Sequence, residues 1–285
     1  MTGVGDPTAR DYACVIVGGG AAGLSAALVL GRARRRTLVF DLGGQSNRPA
    51  AHVGGLLGLD GTPPDELYAR ARSQIAAYDS VVFRDAEVSD VRADGDGFIL
   101  VAAGAEVRTQ SLVLATGMDY EVPDVPGFRE HWGGQVFHCP FCHGWEVRDR
   151  KLVVYADGEM AERLVPLISG WTSDVTLVAP ADVGELRVED GTVKAVVRKD
   201  GTEVLCDAVL VHAPLRQRGR LAEALNLELT EQGLIAVDEL GHTSVPGVYA
   251  AGDVAVAPQQ VAIAMGSGHK AGLVAVRELL LGRLN

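Results

Sequence analysis

An α/β fold is predicted by three observations. Near the N-terminus a glycine turn joins an apolar strand to an Ala/Leu-rich helix, and a second strand–helix–strand run lies in the middle of the chain. Glycine is also abundant, 35 of 285 residues, as turns that approach phosphates require. Together these predict a duplicated nucleotide fold of two Rossmann-like, three-layer domains rather than a solenoid repeat.

The first unit is "DYACVIVGGGAAGLSAALVLGRARRRTLVFD". A strand over residues 14–17 turns through Gly18, Gly20 and Gly23 into a helix, and a second strand ends at Asp41. In a GxGxxG turn the first two glycines let the backbone bend and approach a pyrophosphate. The third lets helix and strand pack closely, and the helix N-terminus presents unpaired amides to the phosphates. Asp41, 18 residues past Gly23, stands where an acid holds an adenosine ribose. GxGxxG alone is weak, but with strand, helix and acid in register it predicts a dinucleotide site.

"GGQSNRPAAHVGGLLGLDGTPPDEL" follows, too polar and turn-rich for core structure. Two alternating strands, "VVFRDAEVSDV" and "GFILVAAG", lead into "SLVLATG", a strand closed by Gly117. "EVPDVPG", residues 121–127, reads as a proline-stiffened linker. Residues 119–244 form a separate middle section holding the second run, "KLVVYADGEMAERLVPLISGWTSDVTLVAP". The chain returns with "SVPGVYAAGDVAV" and finishes in an apolar helix, "QQVAIAMGSGHKAGLVAVRELLLG".

A formal charge of −11 disfavours nucleic acid and anionic membranes as partners. The basic run "GRARRR" reads as a solvated helix end that complements the dipole. No apolar run reaches the roughly 18 residues that span a bilayer. The opening "MTGVGDPTARDY" lacks a charged-then-apolar leader, which predicts a cytoplasmic protein.

Two of the four cysteines stand in "HCPFCHGW", residues 138–145. Three chemistries use a CxxC. Cys139 to His143 matches CxxCH, the haem-attachment pattern, but that attachment normally occurs outside the cytoplasm and needs no dinucleotide site. Zinc requires four ligands in a tetrahedron, and His138 and His143 adjoin the cysteines too closely for all four to converge on one ion. Cys14 and Cys206 have no partner spacing that completes a site, so no metal is predicted. A redox disulfide is favoured, with flanking histidines able to exchange protons near neutral pH. Phe141 and Trp145 could line an apolar slot, though burial in packing is the simpler expectation. His131, His212 and His242 show no partners in sequence and are assigned no role.

Taken in order, GxGxxG with Asp41, "GGQ" (Gly43 to Gln45), "ATG" (Ala115 to Gly117), a CxxC after the linker and "GVYAAGD" (Gly247 to Asp253) resemble the low-molecular-weight thioredoxin reductases across nearly the whole chain. The resemblance implies a homodimer and a discontinuous FAD domain, residues 1–117 and 245–285, with a degenerate NAD(P)-binding-like domain, 119–244, inserted. It implies that Gly18, Gly20, Ala21 and Ala22 take the FAD pyrophosphate and Asp41 the ribose. Gln45 and His52 would lie along the cofactor, and Ala115 and Gly117 near its adenine side. Asp253 would bind the ribityl chain, with Gln260 and Val261 opening a helix under the flavin, where its dipole stabilises the reduced ring. Cys142 would face the flavin, and Cys139 would meet the substrate.

Two features depart from the reductases. In "ADGEMA", residues 156–161, Ala156 replaces the tight-turn glycine, and no cation occurs from Thr176 to Leu186 to neutralise a 2′-phosphate. His143 also stands where reductases carry a proton-donating aspartate. "CPFCHGWE" instead resembles the FAD-dependent dithiol oxidases of the gliotoxin and holomycin type. That implies oxidation of a small-molecule dithiol to a cyclic disulfide, with O2 as acceptor and hydrogen peroxide as product. Cys139, Cys142 and His143 would be catalytic, with His138 as a supporting group. The alternative is a thioredoxin-type disulfide reductase fed by NADPH or another donor such as ferredoxin.

Overall fold

A computed structural model describes residues 12–282. The N-terminal stretch read for a leader lies, but for Tyr12, outside the described residues. In chain order the elements are β1 (Tyr12–Val17), α1 (Ala21–Arg32), β2 (Thr37–Phe40), α2 (Pro64–Ile75), β3 (Val81–Arg84), β4 (Val88–Asp94), β5 (Gly97–Ala102), β6 (Ala105–Leu114) and β7 (Met118–Tyr120). Then come β8 (Val136–Phe137), α3 (Pro140–His143), β9 (Leu152–Tyr155), α4 (Gly158–Ile168), β10 (Val175–Val178), β11 (Val183–Glu189), β12 (Thr192–Arg198), β13 (Glu203–Leu205) and β14 (Ala208–Val211). The chain ends through β15 (Leu215–Gln217), α5 (Leu221–Ala224), β16 (Val248–Ala250) and α6 (Val261–Leu281).

These elements form two compact units. Of the described residues, the first unit takes those up to Ser46, Asp65–Asp119 and everything from Arg216 on; the second takes Asn47–Pro64 and Tyr120–Leu215. The borders differ from the expected 117/119 and 244/245. Residues after Arg216 join the first unit because Leu229 bridges Ile235, the Ile235 amide donates to the Val254 carbonyl at 2.8 Å, and His242 bridges Tyr249. Residues 47–64 join the second, where His52 bonds Glu146 and Pro49 abuts Gly133.

The first unit holds a seven-stranded sheet. β3, β2, β1, β6 and β16 run parallel, and β4–β5–β6 add an antiparallel meander. β1 is buried along almost its whole length, as a strand covered on both faces must be. Against it lie α1 and α6, whose facing residues are small: Ala22, Ala26 and Ala27 on one side, Ala271 and Ala275 on the other. A Cβ at Gly268 would run into the backbone of Ala22, and one at Gly272 would lie 3.0 Å from the Cα of Ala26. Glycine at these two positions therefore sets how closely the helices approach.

The second unit repeats the plan at smaller scale. β10, β9, β14 and β8 make a parallel sheet, and β11–β12–β13 an antiparallel meander. Two apolar clusters fill it, one under the meander around Phe128 and Val193, the other between β9 and α4 around Leu152 and Ile168. The polar excursion is not wholly solvated: Val53 and Leu56 are buried, and Leu57 alone of that triplet is fully exposed. Both units are Rossmann-like, so the duplicated α/β fold read from the sequence is the observed one. Among the described residues no helix is long and apolar enough to cross a membrane.

Candidate active site

The glycine turn of the first unit has the predicted geometry. Gly18 adopts φ +110°, and a Cβ there would collide with the carbonyl of Ala115; one on Gly23 would collide with the carbonyl of Gly18. Gly20 is the N-cap of α1 and no side chain caps it, so the first amides of the helix, from Ala21 and Ala22 on, stay open to an anion. Gly117, at φ +69°, has open space where a Cβ would stand. Ala115 is buried beneath the turn.

Asp41 is 6% exposed and held from three sides. The Gly43 amide donates to its Oδ1 at 2.9 Å, Gln45 Nε2 donates to the same oxygen at 3.2 Å, and Arg72 pairs with Oδ2. Gln45 Nε2 also donates to the Gly19 carbonyl at 3.2 Å, tying the phosphate turn to the ribose-reading acid. Arg72, from α2, gave no signal in sequence because its partner lies 31 residues away.

Asp253 sits in a short turn before α6 and takes no hydrogen bond from any described residue. Burial pushes its carboxyl up to about 6, against the opposing charge of Arg218. Arg218 is itself anchored to Asp119 at 2.6 Å and Ser46 at 3.1 Å. A desolvated carboxylate lacking a donor fits a ligand hydroxyl. Val261 opens α6 behind Gln260, its N-cap, as expected. An uncapped helix N-terminus, an acid fixed at the end of β2 and a carboxylate awaiting a donor are the groups that FAD requires. The resident side chains therefore fit it.

The cysteines lie in the second unit, on the single turn of α3. Cys139 is the N-cap, Pro140 begins the helix, and the Cys142 amide donates to the Cys139 carbonyl at 3.1 Å. Cys139 and Cys142 form a disulfide with their Cα atoms 5.3 Å apart. The other two cysteines are buried thiols, each pushed up to about 12 by burial, so neither competes as a nucleophile.

His143 follows directly. Its Nε2 lies 3.1 Å from the Gly133 carbonyl, an acceptor only, so Nε2 carries the hydrogen and Nδ1 keeps its lone pair. That Nδ1 is buried and has no hydrogen-bond partner. Burial lowers the proton affinity of the ring, and His52 adds to this; the Gly133 carbonyl, Glu146 and, least, the Cys139 backbone oppose it without overcoming it. His143 is thus a neutral imidazole with an available lone pair beside the disulfide.

His138 differs. Its ring lies 4.1 Å from that of Tyr120 and 5.4 Å from that of Trp132, and burial, followed by the charges of His143 and His212, drops it to about 4. Phe141 and Trp145 correct an expectation: both are 66% exposed rather than buried. The ring of Phe141 meets the edge of Trp171, and Arg148 lies 3.9 Å over Trp145, so each rests on the surface against one neighbour.

His52, placed along the cofactor by resemblance, lies in the second unit with Nε2 2.9 Å from Glu146 Oε1. Glu146 was missed because a lone glutamate past a CxxC carries no sequence signal. His242, read as partnerless, bridges two carboxylates, Asp238 at 2.8 Å and Glu278 at 2.7 Å. At the expected nucleotide turn of the second unit, Ala156 is buried at the end of the strand, and Asp157 holds the N-cap position of α4 without a side-chain capping bond. A carboxylate there opposes a phosphate.

Comparison with known proteins places this geometry. The family described as pyridine nucleotide-disulphide oxidoreductase matches residues 12–165 and 171–268. A protein named thioredoxin reductase tcpT, from Claviceps purpurea, is 34% identical, covering 96% of both chains. One named thioredoxin reductase sirT, from Leptosphaeria maculans, is 31% identical over 92% of each. Among solved structures, HlmI superposes with a TM-score of 0.90 at 34% identity, covering 95% of this chain and 93% of its own. An oxidoreductase from Agrobacterium tumefaciens gives 0.87 at 32%, covering 95% and 99%. The chain belongs to the pyridine nucleotide-disulphide oxidoreductases and is a thioredoxin reductase-like, FAD-binding flavoenzyme with a redox disulfide at Cys139–Cys142.

Proposed function

We propose that this flavoenzyme oxidises a small-molecule dithiol to a cyclic disulfide, with O2 as the final acceptor and hydrogen peroxide as the second product. The observation that carries the reading is the orientation of His143: its only N–H is held by the Gly133 carbonyl, and a lone pair is left at Nδ1. Removing electrons from a dithiol also requires removing two protons, and a neutral imidazole is suited to accept one.

The chain's residues act in sequence. One substrate sulfur, as thiolate, attacks Cys139; the Cys139–Cys142 bond breaks, a substrate–Cys139 bond forms, and Cys142 leaves as thiolate. His143 takes the proton of the second substrate thiol. That sulfur then attacks the first, closing the cyclic disulfide and expelling Cys139 as thiolate. The substrate has lost two electrons and two protons, and the cysteine pair holds the electrons. FAD, held through Gly18, Gly20, Ala21, Ala22, Asp41, Gln45 and Asp253 of the first unit, supplies a two-electron acceptor when bound. His138, neutral throughout the physiological range, shapes the site and carries no proton. Phe141 and Trp145 offer an apolar surface beside the disulfide to a substrate of modest size. A homodimer in the cytoplasm completes the reading.

A second reading is favoured by the names of the fungal relatives: a thioredoxin-type disulfide reductase drawing on NADPH or another donor such as ferredoxin. Anaerobic titration separates the two. Dithiothreitol should bleach the flavin band whereas NADPH leaves it unchanged, and Cys142→Ser should abolish dithiol-driven oxygen uptake. Rapid bleaching by NADPH would overturn the oxidase.

A further inference from the structure

We propose that Arg72 belongs to the FAD site, as the donor that reads the adenosine ribose together with Asp41. The inference concerns how the cofactor is held and does not depend on the direction of electron flow.

A ribose carries two neighbouring hydroxyls, and each of them both donates and accepts hydrogen bonds. An ionised carboxylate only accepts. Asp41 can therefore take the hydrogens of the diol but leaves the hydroxyl oxygens without a donor. That donor has to stand beside the carboxylate.

Three groups donate to Asp41, and two are already committed. The Gly43 amide has a single hydrogen, given to Oδ1. Gln45 Nε2 divides its two between Asp41 and the Gly19 carbonyl. Arg72 is the third. Its one hydrogen bond among the described residues runs from Nη2 to Asp41 Oδ2, which leaves most of its five N–H groups open to a ligand. Asp85 lies 3.7 Å from Nη1, too far for a hydrogen bond. A carboxylate offers about four acceptor positions, so three donors leave Asp41 room for a hydroxyl.

The guanidinium also stands where this fold gathers its ligands. Asp41 follows β2, and its amide donates to the Arg84 carbonyl at 3.0 Å, so the carboxyl ends of β2 and β3 lie side by side. Open α/β sheets bind nucleotides at such strand ends. A Cβ on Gly19 would overlap the Asp41 carboxylate, so the acid lies directly against the phosphate turn. Arg72 reaches it from α2 and rests on the ring of Phe83, with Cζ 4.8 Å from the centroid. That contact orients the planar group, yet 34% of the side chain is still exposed. All of these residues lie in the first unit.

The test strips flavin from the full chain and follows rebinding by the change in flavin fluorescence. The ligands are FAD and an analogue whose adenosine is 2′,3′-dideoxy. The unsubstituted protein should prefer FAD by at least about 100-fold, the scale of two hydrogen bonds to charged groups. Arg72→Met should weaken FAD binding and lose about tenfold or more of that preference, the share of one such bond. Arg72→Lys keeps the charge without the planar fork and should lose most of the same share. A merely structural arginine gives another pattern: both ligands weaken together and the preference survives. That pattern overturns the proposal. So does normal FAD binding by Arg72→Met, or equal binding of the two ligands by the unsubstituted protein. Should Arg72→Met fail to fold by circular dichroism, Arg72→Lys decides, and an unchanged preference there refutes the ribose contact.

Discussion

Glu278 should be the most costly single carboxylate to remove from the first unit. It lies on α6, 3% exposed, and accepts from Tyr249 Oη at 2.6 Å through one oxygen and from His242 Nε2 at 2.7 Å through the other. Tyr249 is itself fully buried, and burial, then the bond to Glu278, raises its hydroxyl pKa. Glu278→Ala strands a buried hydroxyl and takes from His242 one of its two carboxylate partners. Breaking such a buried pair costs about 3–5 kcal/mol. At 2–4 °C per kcal/mol for a unit of this size, the melting temperature should fall by roughly 6–20 °C. A pH signature accompanies the loss. Burial opposes protonation of His242, but its bonds to Asp238 and Glu278 outweigh this, and its pKa is raised above 6.5. A group with a raised folded-state pKa contributes fully below its unfolded value and ceases to contribute as pH rises through the folded one. The gap between the wild type and His242→Asn should thus be widest at pH 5–6, about a unit below the ordinary histidine value, and close on the alkaline side. Melting followed by near-ultraviolet circular dichroism from pH 5 to 9 tests both. A Glu278→Ala protein as stable as the wild type, or a His242 gap flat across that range, would refute the reasoning.

His143→Asn should keep FAD and the disulfide but slow flavin bleaching by dithiothreitol about 10²-fold, the lower range for loss of a general base. Because burial lowers the His143 pKa, with the Gly133 carbonyl and Glu146 opposing it, the wild-type rate should hold as pH falls below 6.5, and the variant should lose that acid limb. Gly268→Ala forces a methyl onto the Ala22 backbone and should cost at least about 1–3 kcal/mol, the usual penalty of overpacking, and reduce FAD content through displacement of α1. Gly266→Ala, which meets open space on the same helix, should instead stabilise by up to about 1 kcal/mol; equal melting of the two variants would show that the α1–α6 approach is not the constraint.

What was legible in sequence is what short spacings encode. The GxGxxG turn, the strand ending at Asp41, the helix opened by Val261 and the cysteine turn each lie within a few residues of their own signal. The groups that complete them come from far away in the chain. Arg72 reaches Asp41 across 31 residues, His52 reaches Glu146 across 94, and Glu278 meets His242 across 36. Such pairings depend on packing that periodicity cannot specify. Near residue 245, "SVPGVYAAGD" marks where β16 begins, and the preceding residues are tied to it by backbone pairing with Val254 and Tyr249 that no local pattern announces. Phe141 and Trp145 misled in the opposite sense, since aromatic residues are expected in cores, and beside this disulfide they stand on the surface.

The direction of electron flow can be argued from where protons are able to go. A reductase of a disulfide must protonate a leaving thiolate, which needs a group that still carries a transferable proton at neutral pH. At this centre the group following the second cysteine is an imidazole whose proton affinity is lowered by burial and whose one hydrogen is tied to the Gly133 carbonyl. It has little to donate and a lone pair with which to accept. At the nucleotide end of the second unit, a carboxylate, Asp157, stands at the N-cap position of α4, and no cation follows on β10 or the turn after it. Supplying electrons from a phosphorylated nucleotide would call for a different turn before α4 and a cation after β10, two changes that the proposed dithiol oxidation does not require.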